Sequence, residues 1–211
     1  MDDFPSFHSI LCIFTRHGRR EKEEADDEGR HAEERSSIAD ASDSRIRADD
    51  AAEQGAGTDA KVARLRDLGF DAAFNYHDGP VTDLLGQAAP DGIDVYYDNV
   101  GGDHLEAAIN HLNTDGRVAM CGAISQYNSV EPPCAPRNLG LAIGKRLTLR
   151  GFVIAKYAEE VRPEFQQKMA QWLANDEIHW DETYRDGLDA APKAFIDMLE
   201  GANTGKMLVR L

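Results

Sequence analysis

Residues 91–128, DGIDVYYDNVGGDHLEAAINHLNTDGRVAMCGAISQYN, hold the pattern of strand, turn, helix and second strand that decides the fold. Ile93 to Tyr97 is a short, nearly continuous apolar run, which is typical of a parallel strand covered on both faces. His104 to Leu112 places its large apolar residues on one helical stripe, and Arg117 to Cys121 resumes as a strand. A helix that joins two neighbouring parallel strands in this order predicts a doubly wound α/β fold with helices on both faces of the sheet.

The two loops that follow these strands are the candidate binding surface. In open α/β sheets ligands bind outside the carboxyl ends of the strands, so residues 99–102 and 122–127 are the ones that matter. Small residues in these loops let a flat cofactor approach the backbone. The spacing alone leaves a second interpretation open, in which Gly101 and Gly102 only make a turn and Gly122 only ends a strand.

The amino-terminal quarter has a different composition from the rest of the chain. Between Arg16 and Gly55 the only large aliphatic or aromatic residues are Ile38 and Ile46. Such a stretch buries too little apolar surface to offset the entropy of ordering it. We therefore expect a disordered segment, or failing that a loosely helical arm, in front of the sheet.

Charge and cysteine content exclude several classes of function. The net charge of −15 argues against binding to nucleic acid and to anionic membrane surfaces. The apolar run from Ile10 to Phe14 is too short for a signal peptide or a membrane anchor, so the chain is expected in the cytoplasm. The spacing of Cys12, Cys121 and Cys134 does not suit a metal, and we expect free thiols and no metal site.

Lys61 lies in an unusual place for a cation. Thr58 or Asp59 can cap the helix that begins here, and a lysine in the first turn is not favoured by the helix dipole. A bound phosphate would explain it, because helix-start amides together with an ammonium suit a dianion. The alternative is a solvated surface lysine.

The carboxyl-terminal third predicts a strand at Leu147 to Ile154, a helix at Glu164 to Ala174 and a strand at Ile178 to Thr183. A last helix at Pro192 to Glu200 precedes a terminal strand at Lys206 to Leu211.

Six short motifs then occur in order: GTDAK at 57–61, LGFDAAFNY at 68–76, IDVYYDNVGG at 93–102, GRVAMCGAISQYN at 116–128, GFVI at 151–154 and GANTGKMLV at 201–209. Together they resemble the carboxyl-terminal portion of the zinc-independent medium-chain dehydrogenases and reductases. The nearest resemblance is to the NADPH-dependent alkenal and alkenone reductases, also named 15-oxoprostaglandin 13-reductases or leukotriene B4 dehydrogenases.

The resemblance implies a partial Rossmann-like sheet that binds NADP(H) and an oxidoreductase that acts on carbon–carbon double bonds. Hydride would pass to the double bond of a small unsaturated aldehyde or ketone. Relatives of this kind tend to dimerise, so a homodimer is an open expectation. The resemblance assigns no catalytic residue. It implies a set of cofactor-binding residues: Lys61 at the 2′-phosphate, Tyr76 at the adenosine, Asn99 near the centre, Cys121, Gly122, Ala123, Ile124, Ser125 and Tyr127 at the nicotinamide, Phe152, Val153 and Ile154 at the carboxamide, and Asn203 from the terminal loop.

The chain also departs from this family. No glycine-rich turn of the AAGAVG kind precedes GTDAK, and Thr15 to Arg20 holds a single glycine in its place. Residues 1–55 do not resemble the family, and its amino-terminal catalytic domain has no counterpart. We expect a truncated or frameshifted product with weakened activity, and its sheet split in two unless Ser9 to Thr15 fills the gap. The alternative function is a non-catalytic remnant, a nucleotide-binding or interaction module without turnover.

The expected organisation has three parts. Residues 1–55 form the segment outside the resemblance, 56–160 a partial NADP-binding Rossmann domain, and 161–211 the helices and strands that would pack on the catalytic domain.

Overall fold

The computed structural model of the protein describes residues 13–16, 51–127, 130 and 136–211. Cys12, Cys134 and most of the segment before residue 51 lie outside these residues. The described strands, numbered in chain order, are β1 Ile13–Arg16, β2 Ala51–Ala56, β3 Ala72–Asn75, β4 Ile93–Asp98, β5 Leu112–Met120, β6 Thr148–Gly151, β7 Glu182–Asp186 and β8 Lys206–Arg210. The helices are α1 Asp59–Asp67, α2 Val81–Ala88, α3 Gly102–His111, α4 Leu141–Gly144, α5 Ala158–Ala174 and α6 Ala191–Leu199.

Six of these strands form one sheet in the order β3-β2-β1-β4-β5-β6, and β7 and β8 form a separate parallel pair. The pairs β2–β3, β4–β5 and β5–β6 are parallel. This confirms the doubly wound α/β class and the side-by-side parallel strands that carry Val95 and Val118. β6 ends at Gly151, so Val153 lies just beyond the strand.

β1 lies at the centre of the sheet and runs against both of its neighbours. Its Ile13 is paired with Gln54 of β2 and with Tyr97 of β4, both in antiparallel register. β1 therefore fills the gap that was expected between the two half-sheets. The sequence left this possibility open for Ser9 to Thr15. The sheet is mixed at this place, because β1 runs antiparallel to both β2 and β4.

Residues 51–55 were expected outside the sheet but belong to β2. The strand has no large apolar side chain, but it is bonded through its backbone to β1 on one side and to β3 on the other. Glu53 and Gln54 are buried within it, at 4% and 5% exposure. The ladders on both sides thus hold a strand whose side chains would not predict one.

Helices cover both faces of the sheet. Ala73 packs with Val62 and Leu65 of α1, while the next residue, Phe74, packs against the cluster beneath α2 and α3. Successive residues of a strand point to opposite faces, so the two clusters lie on opposite sides. The larger cluster contains the most deeply buried side chains: Leu85, Ile93, Tyr96, Ile109, Leu112 and Val118.

Besides β6, which was expected at Leu147 to Ile154, three elements differ from the sequence expectations in their bounds. β5 begins at Leu112, within a stretch expected to end the helix, and a register shift accommodates it next to β4. α5 begins before the expected Glu164, at Ala158. β7 lies at Glu182–Asp186 and overlaps the expected strand, Ile178 to Thr183, only at its last two residues. The rest was not predicted because the residues of β7 alternate in exposure and do not form an apolar run.

The central position of β1 is tested by Thr15→Pro. A central strand is hydrogen-bonded on both sides, so proline removes an N–H and leaves its carbonyl partner unpaired. We expect the free energy of unfolding in urea to fall by about 1–3 kcal/mol relative to the protein with Thr15→Val, which keeps the N–H and the branched shape. Equal stability of the two variants would contradict the placement of β1.

Candidate functional site

The candidate site is built from three loops at one edge of the sheet. Because β4, β5 and β6 are parallel, their carboxyl ends lie together, and residues 99–102, 121–127 and 152–154 follow them. The structure therefore brings together the predicted residues Asn99, Cys121 to Tyr127 and Phe152 to Ile154. Sheets of this kind bind ligands at this edge.

Asp98 organises the first loop. Its side chain is fully buried, and its Oδ1 accepts hydrogen bonds from the Tyr96 hydroxyl at 2.9 Å, the Val100 amide at 3.0 Å and the Gly101 amide at 2.9 Å. These three donors offset part of the cost of burying the side chain, whose Oδ2 is buried without a hydrogen-bond partner among the described residues. The turn after β4 is therefore fixed by a side chain that the sequence analysis did not single out.

The first and second loops are joined by hydrogen bonds to the carbonyls of residues 98–100. The donors are the amides of Cys121 and Gly122 to Asp98 at 2.8 and 3.0 Å, the amide of Ile124 to Asn99 at 3.0 Å, and the amide and hydroxyl of Ser125 to Val100 at 3.1 and 2.6 Å. Predicted site residues thus use their polar groups to hold one loop against the other. These hydrogen bonds fix the position of the two loops relative to each other.

Glycines allow this close approach. Gly101 has a φ of +70°, and a Cβ on it would lie 3.3 Å from the Cβ of Ala123. A Cβ on Gly122 would lie 3.2 Å from both the Asn99 carbonyl oxygen and the Tyr127 hydroxyl. Side chains larger than hydrogen would push the two loops apart.

Tyr97 links the second and third loops. Its ring lies 6.1 Å from the ring of Phe152, and its hydroxyl is hydrogen-bonded to the thiol of Cys121. Burial together with this hydrogen bond raises the pKa of Tyr97 to about 12. Tyr97 therefore stays protonated at neutral pH. The thiol of Cys121 is free and exposed.

An apolar surface lies beside these contacts. Tyr127, Val153 and Ile154 are 67%, 70% and 70% exposed, although each is a large apolar or aromatic residue. The Tyr127 hydroxyl accepts a hydrogen bond from the Ala123 amide at 3.2 Å, which anchors that ring to the second loop. Exposed apolar residues that follow two neighbouring strands are typical of a ligand-binding surface.

Lys61 lies at the start of α1, away from these loops in the chain. Thr58 caps the helix by accepting a hydrogen bond from the Lys61 amide at 3.3 Å. The Lys61 ammonium donates to the carbonyl of Gly201 at 2.7 Å, and partial burial lowers the pKa of Lys61 below its usual value. Lys61, the residue predicted to bind the phosphate, is therefore held against the loop that follows α6.

Tyr76 follows β3 directly, at the same end of the sheet as the start of α1. Its ring stacks at a tilt on His77, with centroids 4.6 Å apart, and meets the edge of His104 at 5.4 Å. His104 is buried in the first turn of α3. The aromatic contact thus connects the β3 side of the sheet with the loop after β4.

Asn203 lies in the terminal loop and is only 7% exposed. Its Nδ2 donates to the Gly205 carbonyl at 2.6 Å, and its buried Oδ1 has no hydrogen-bond partner among the described residues. The predicted contact with a ligand would therefore fall on the Oδ1 atom. An acceptor in this state suits a hydroxyl or amino donor.

The turn between β2 and α1 carries a spacing that the sequence analysis missed. Gly55-Ala56-Gly57-Thr58-Asp59-Ala60 follows the G-x-G-x-x-A pattern between a strand and a helix. Gly55, however, leaves room for the ring of Phe74, because a Cβ on residue 55 would lie only 3.0 Å from that ring. At least that glycine serves packing within the sheet.

Two other kinds of site find no support among the described residues. Across 13–16, 51–127, 130 and 136–211, three or more His, Cys, Asp or Glu side chains nowhere gather in a way that could hold a metal ion. In the same part of the chain, none of the helices combines the length and apolar character needed to cross a membrane.

Comparison with known proteins identifies the family. A family described as zinc-binding dehydrogenase matches residues 55–175. The NADPH-dependent curcumin reductase of Escherichia coli (strain K12) is 42% identical over 149 residues, which are 68% of this chain and 43% of the reductase. Prostaglandin reductase 1 of Rattus norvegicus is 41% identical over 157 residues, 74% of this chain and 47% of that protein.

A solved structure agrees with these relatives. The crystal structure of CurA in complex with NADPH from Vibrio vulnificus superimposes with a TM-score of 0.70 at 37% identity, and the match covers 75% of this chain and 48% of CurA. The chain spans less than half the length of these relatives. Because the family match extends over more than half of its residues, the chain belongs to the zinc-binding dehydrogenase family.

Proposed function

We propose that this chain is the cofactor-binding portion of an NADPH-dependent oxidoreductase that reduces the carbon–carbon double bond of an unsaturated aldehyde or ketone. The observation that carries the proposal is the hydrogen-bonded pair of loops after β4 and β5. The names of the relatives add the chemistry, since one is an NADPH-dependent curcumin reductase and another a prostaglandin reductase.

The residues present fit a nicotinamide at the edge formed by the three loops. Gly101 and Gly122 keep the backbone free of side chains where the loops meet. Tyr127, Val153 and Ile154 offer an exposed apolar surface to a flat ring. We assign Asn99, Gly122 to Ser125 and Phe152 to this same region.

The residues also fit an adenosine 2′-phosphate at the start of α1. A capped helix terminus and an ammonium favour a dianion, and Tyr76 supplies an aromatic face for the nucleoside. Lys61 would thus select NADPH over NADH. Asn203 Oδ1 would accept a hydrogen bond from the ligand.

When bound, NADPH supplies the hydride for the double bond. The protein's own contribution is to bind and orient: Tyr127, Val153 and Ile154 exclude water from the nicotinamide face, and Tyr97 holds Cys121 and Phe152 in place. We place the chain among the zinc-independent members of the family, which its six motifs resemble, and in such enzymes hydrogen-bond donors would polarise the carbonyl. We also propose a cytoplasmic location, which suits the free thiol of Cys121.

The centre of a dinucleotide is the part that the residues do not fit. A pyrophosphate is normally held by the glycine-rich turn after a parallel central strand. Here β1 is antiparallel to β2 and β4, so its carboxyl end lies at the opposite edge of the sheet. This observation favours a second candidate function, a module that binds nucleotide without turnover.

Cofactor binding is tested by titrating the fluorescence of Trp172 and Trp180 with NADPH and with NADH. We expect NADPH to bind more tightly, and Lys61→Ala to weaken NADPH binding by about 10- to 100-fold because a charge-assisted hydrogen bond is lost. Lys168→Ala is the matched control, since its ammonium pairs with Glu164 on the exposed helix α5. No response to millimolar NADPH would contradict the proposal.

Turnover separates the two candidate functions. If the chain is a reductase, we expect it to oxidise NADPH when an α,β-unsaturated ketone is added, and to form the corresponding saturated ketone. Addition of a saturated ketone in place of the unsaturated one is the control and should cause no oxidation. Binding of NADPH without its oxidation would support the second candidate function, a nucleotide-binding module without turnover.

The preference for NADPH should also depend on pH. Burial lowers the pKa of Lys61 below its usual value, so the ammonium is lost earlier than in a solvated lysine as the pH rises. Only the cation binds the phosphate. We expect the ratio of the NADH to the NADPH dissociation constant to fall between neutral pH and about pH 10, whereas Lys61→Arg should keep a constant ratio because arginine stays charged. A constant ratio in the unaltered protein would argue against a role for Lys61.

A further inference from the structure

Two cations on one face of α1 hold the carboxyl-terminal unit, which we define as residues 181–210. The Lys61 ammonium donates to the Gly201 carbonyl at 2.7 Å, and Arg64 donates to both oxygens of Asp181 at 2.7 and 2.9 Å. Residues three apart lie next to each other on a helix surface. Helix α1 is therefore attached to this unit at two neighbouring points, one in its first turn and one in its last.

The Gly201 carbonyl is held in place by its surroundings. The Gly201 amide donates to the Met198 carbonyl at 3.1 Å, and the Ala202 amide donates to Asp197 at 2.8 Å. Gly201 has a φ of +74°, which glycine adopts without strain. The end of α6 therefore fixes the direction of this acceptor.

Asp181 connects the same loop to Arg64. The Asp181 carbonyl accepts the Lys206 amide at 2.8 Å, and a side chain on Gly205 would overlap that carbonyl. The Thr183 hydroxyl adds a bond to the Thr204 carbonyl at 2.8 Å. The position of the loop Gly201–Gly205 thus depends on Asp181, and the salt bridge to Arg64 sets that position relative to α1.

We propose that the loop Gly201–Gly205 is a positioning element for Lys61, which it holds at the start of α1 in the orientation that recognises a 2′-phosphate. This inference rests on the proposed function. A free lysine side chain has about 2 kcal/mol of rotamer entropy to lose on binding, so an ammonium that is already oriented binds its anion more tightly. Gly201 and Asp181 act through Lys61 and Arg64 and do not touch the phosphate themselves.

Competition is the opposite interpretation of the same contact. In that case the Gly201 carbonyl would occupy the ammonium, and the phosphate would have to displace it. An ammonium carries three N–H donors, so a carbonyl contact is compatible with an anionic acceptor on the same group. The two interpretations predict opposite changes in cofactor preference when the loop is loosened.

The test measures the ratio of the NADH to the NADPH dissociation constant for Asp181→Ala. We expect this ratio to fall about threefold or more, with the dissociation constant of NADH unchanged. A merely structural role would weaken both cofactors alike. The matched control is Asp186→Ala, which removes an exposed carboxylate of β7 that pairs with Arg210 at 3.3 Å and not with α1.

A charge exchange keeps the test decisive if Asp181→Ala unfolds. The double variant Arg64→Asp with Asp181→Arg restores an ion pair at the same place and should restore the preference for NADPH. Acetylation of Lys61 in the nucleotide-free protein gives a second measurement, because a loosened loop exposes the half-buried ammonium and speeds the reaction about threefold or more.

Three outcomes are distinguishable. A reduced ratio in Asp181→Ala that the double variant restores supports the positioning role. An unchanged or increased ratio, in an unaltered protein that does prefer NADPH, overturns the positioning role and leaves the proposed function intact. An unaltered protein that binds neither cofactor overturns both.

Discussion

The fully buried carboxylate of Asp98 is the constraint on which the candidate site depends. Its Oδ1 fixes the turn at Val100 and Gly101, and its backbone carbonyl accepts the amides of Cys121 and Gly122. One residue at the end of β4 therefore sets the shape of its own loop and the position of the next. The Tyr96 hydroxyl of β4 and two amides of the following loop compensate the burial of this side chain at Oδ1.

The reversed central strand lies between the proposed adenosine end of the site and the proposed nicotinamide end. β2 and β3 lead into α1 and Tyr76, whereas β4, β5 and β6 lead into the three loops, and β1 lies between the two groups. An antiparallel β1 bonds well to both neighbours, so the sheet is continuous. β1 thus keeps the sheet continuous, but it does not supply the turn that would hold the middle of a dinucleotide.

Local periodicity predicted the β4–α3–β5 segment because apolar spacing decides such elements. The direction of β1 could not be predicted, since the pattern of a strand is the same read either way. The buried strand β2 was missed because backbone ladders, and not its Glu and Gln side chains, hold it. The partner of Lys61 was also beyond prediction, since it is a carbonyl 140 residues away and backbone acceptors leave no mark in the sequence.

The two ends of the site are held by different physical means, and this decides how each responds to change. Backbone hydrogen bonds and glycines shape the loops after β4 and β5, so side-chain substitutions there act mainly through steric overlap. Charged side chains attach α1 to the carboxyl-terminal unit, so that end responds to pH and salt. In the proposed site, cofactor preference would therefore change through Lys61 and Arg64 while the loops after β4 and β5 keep their shape.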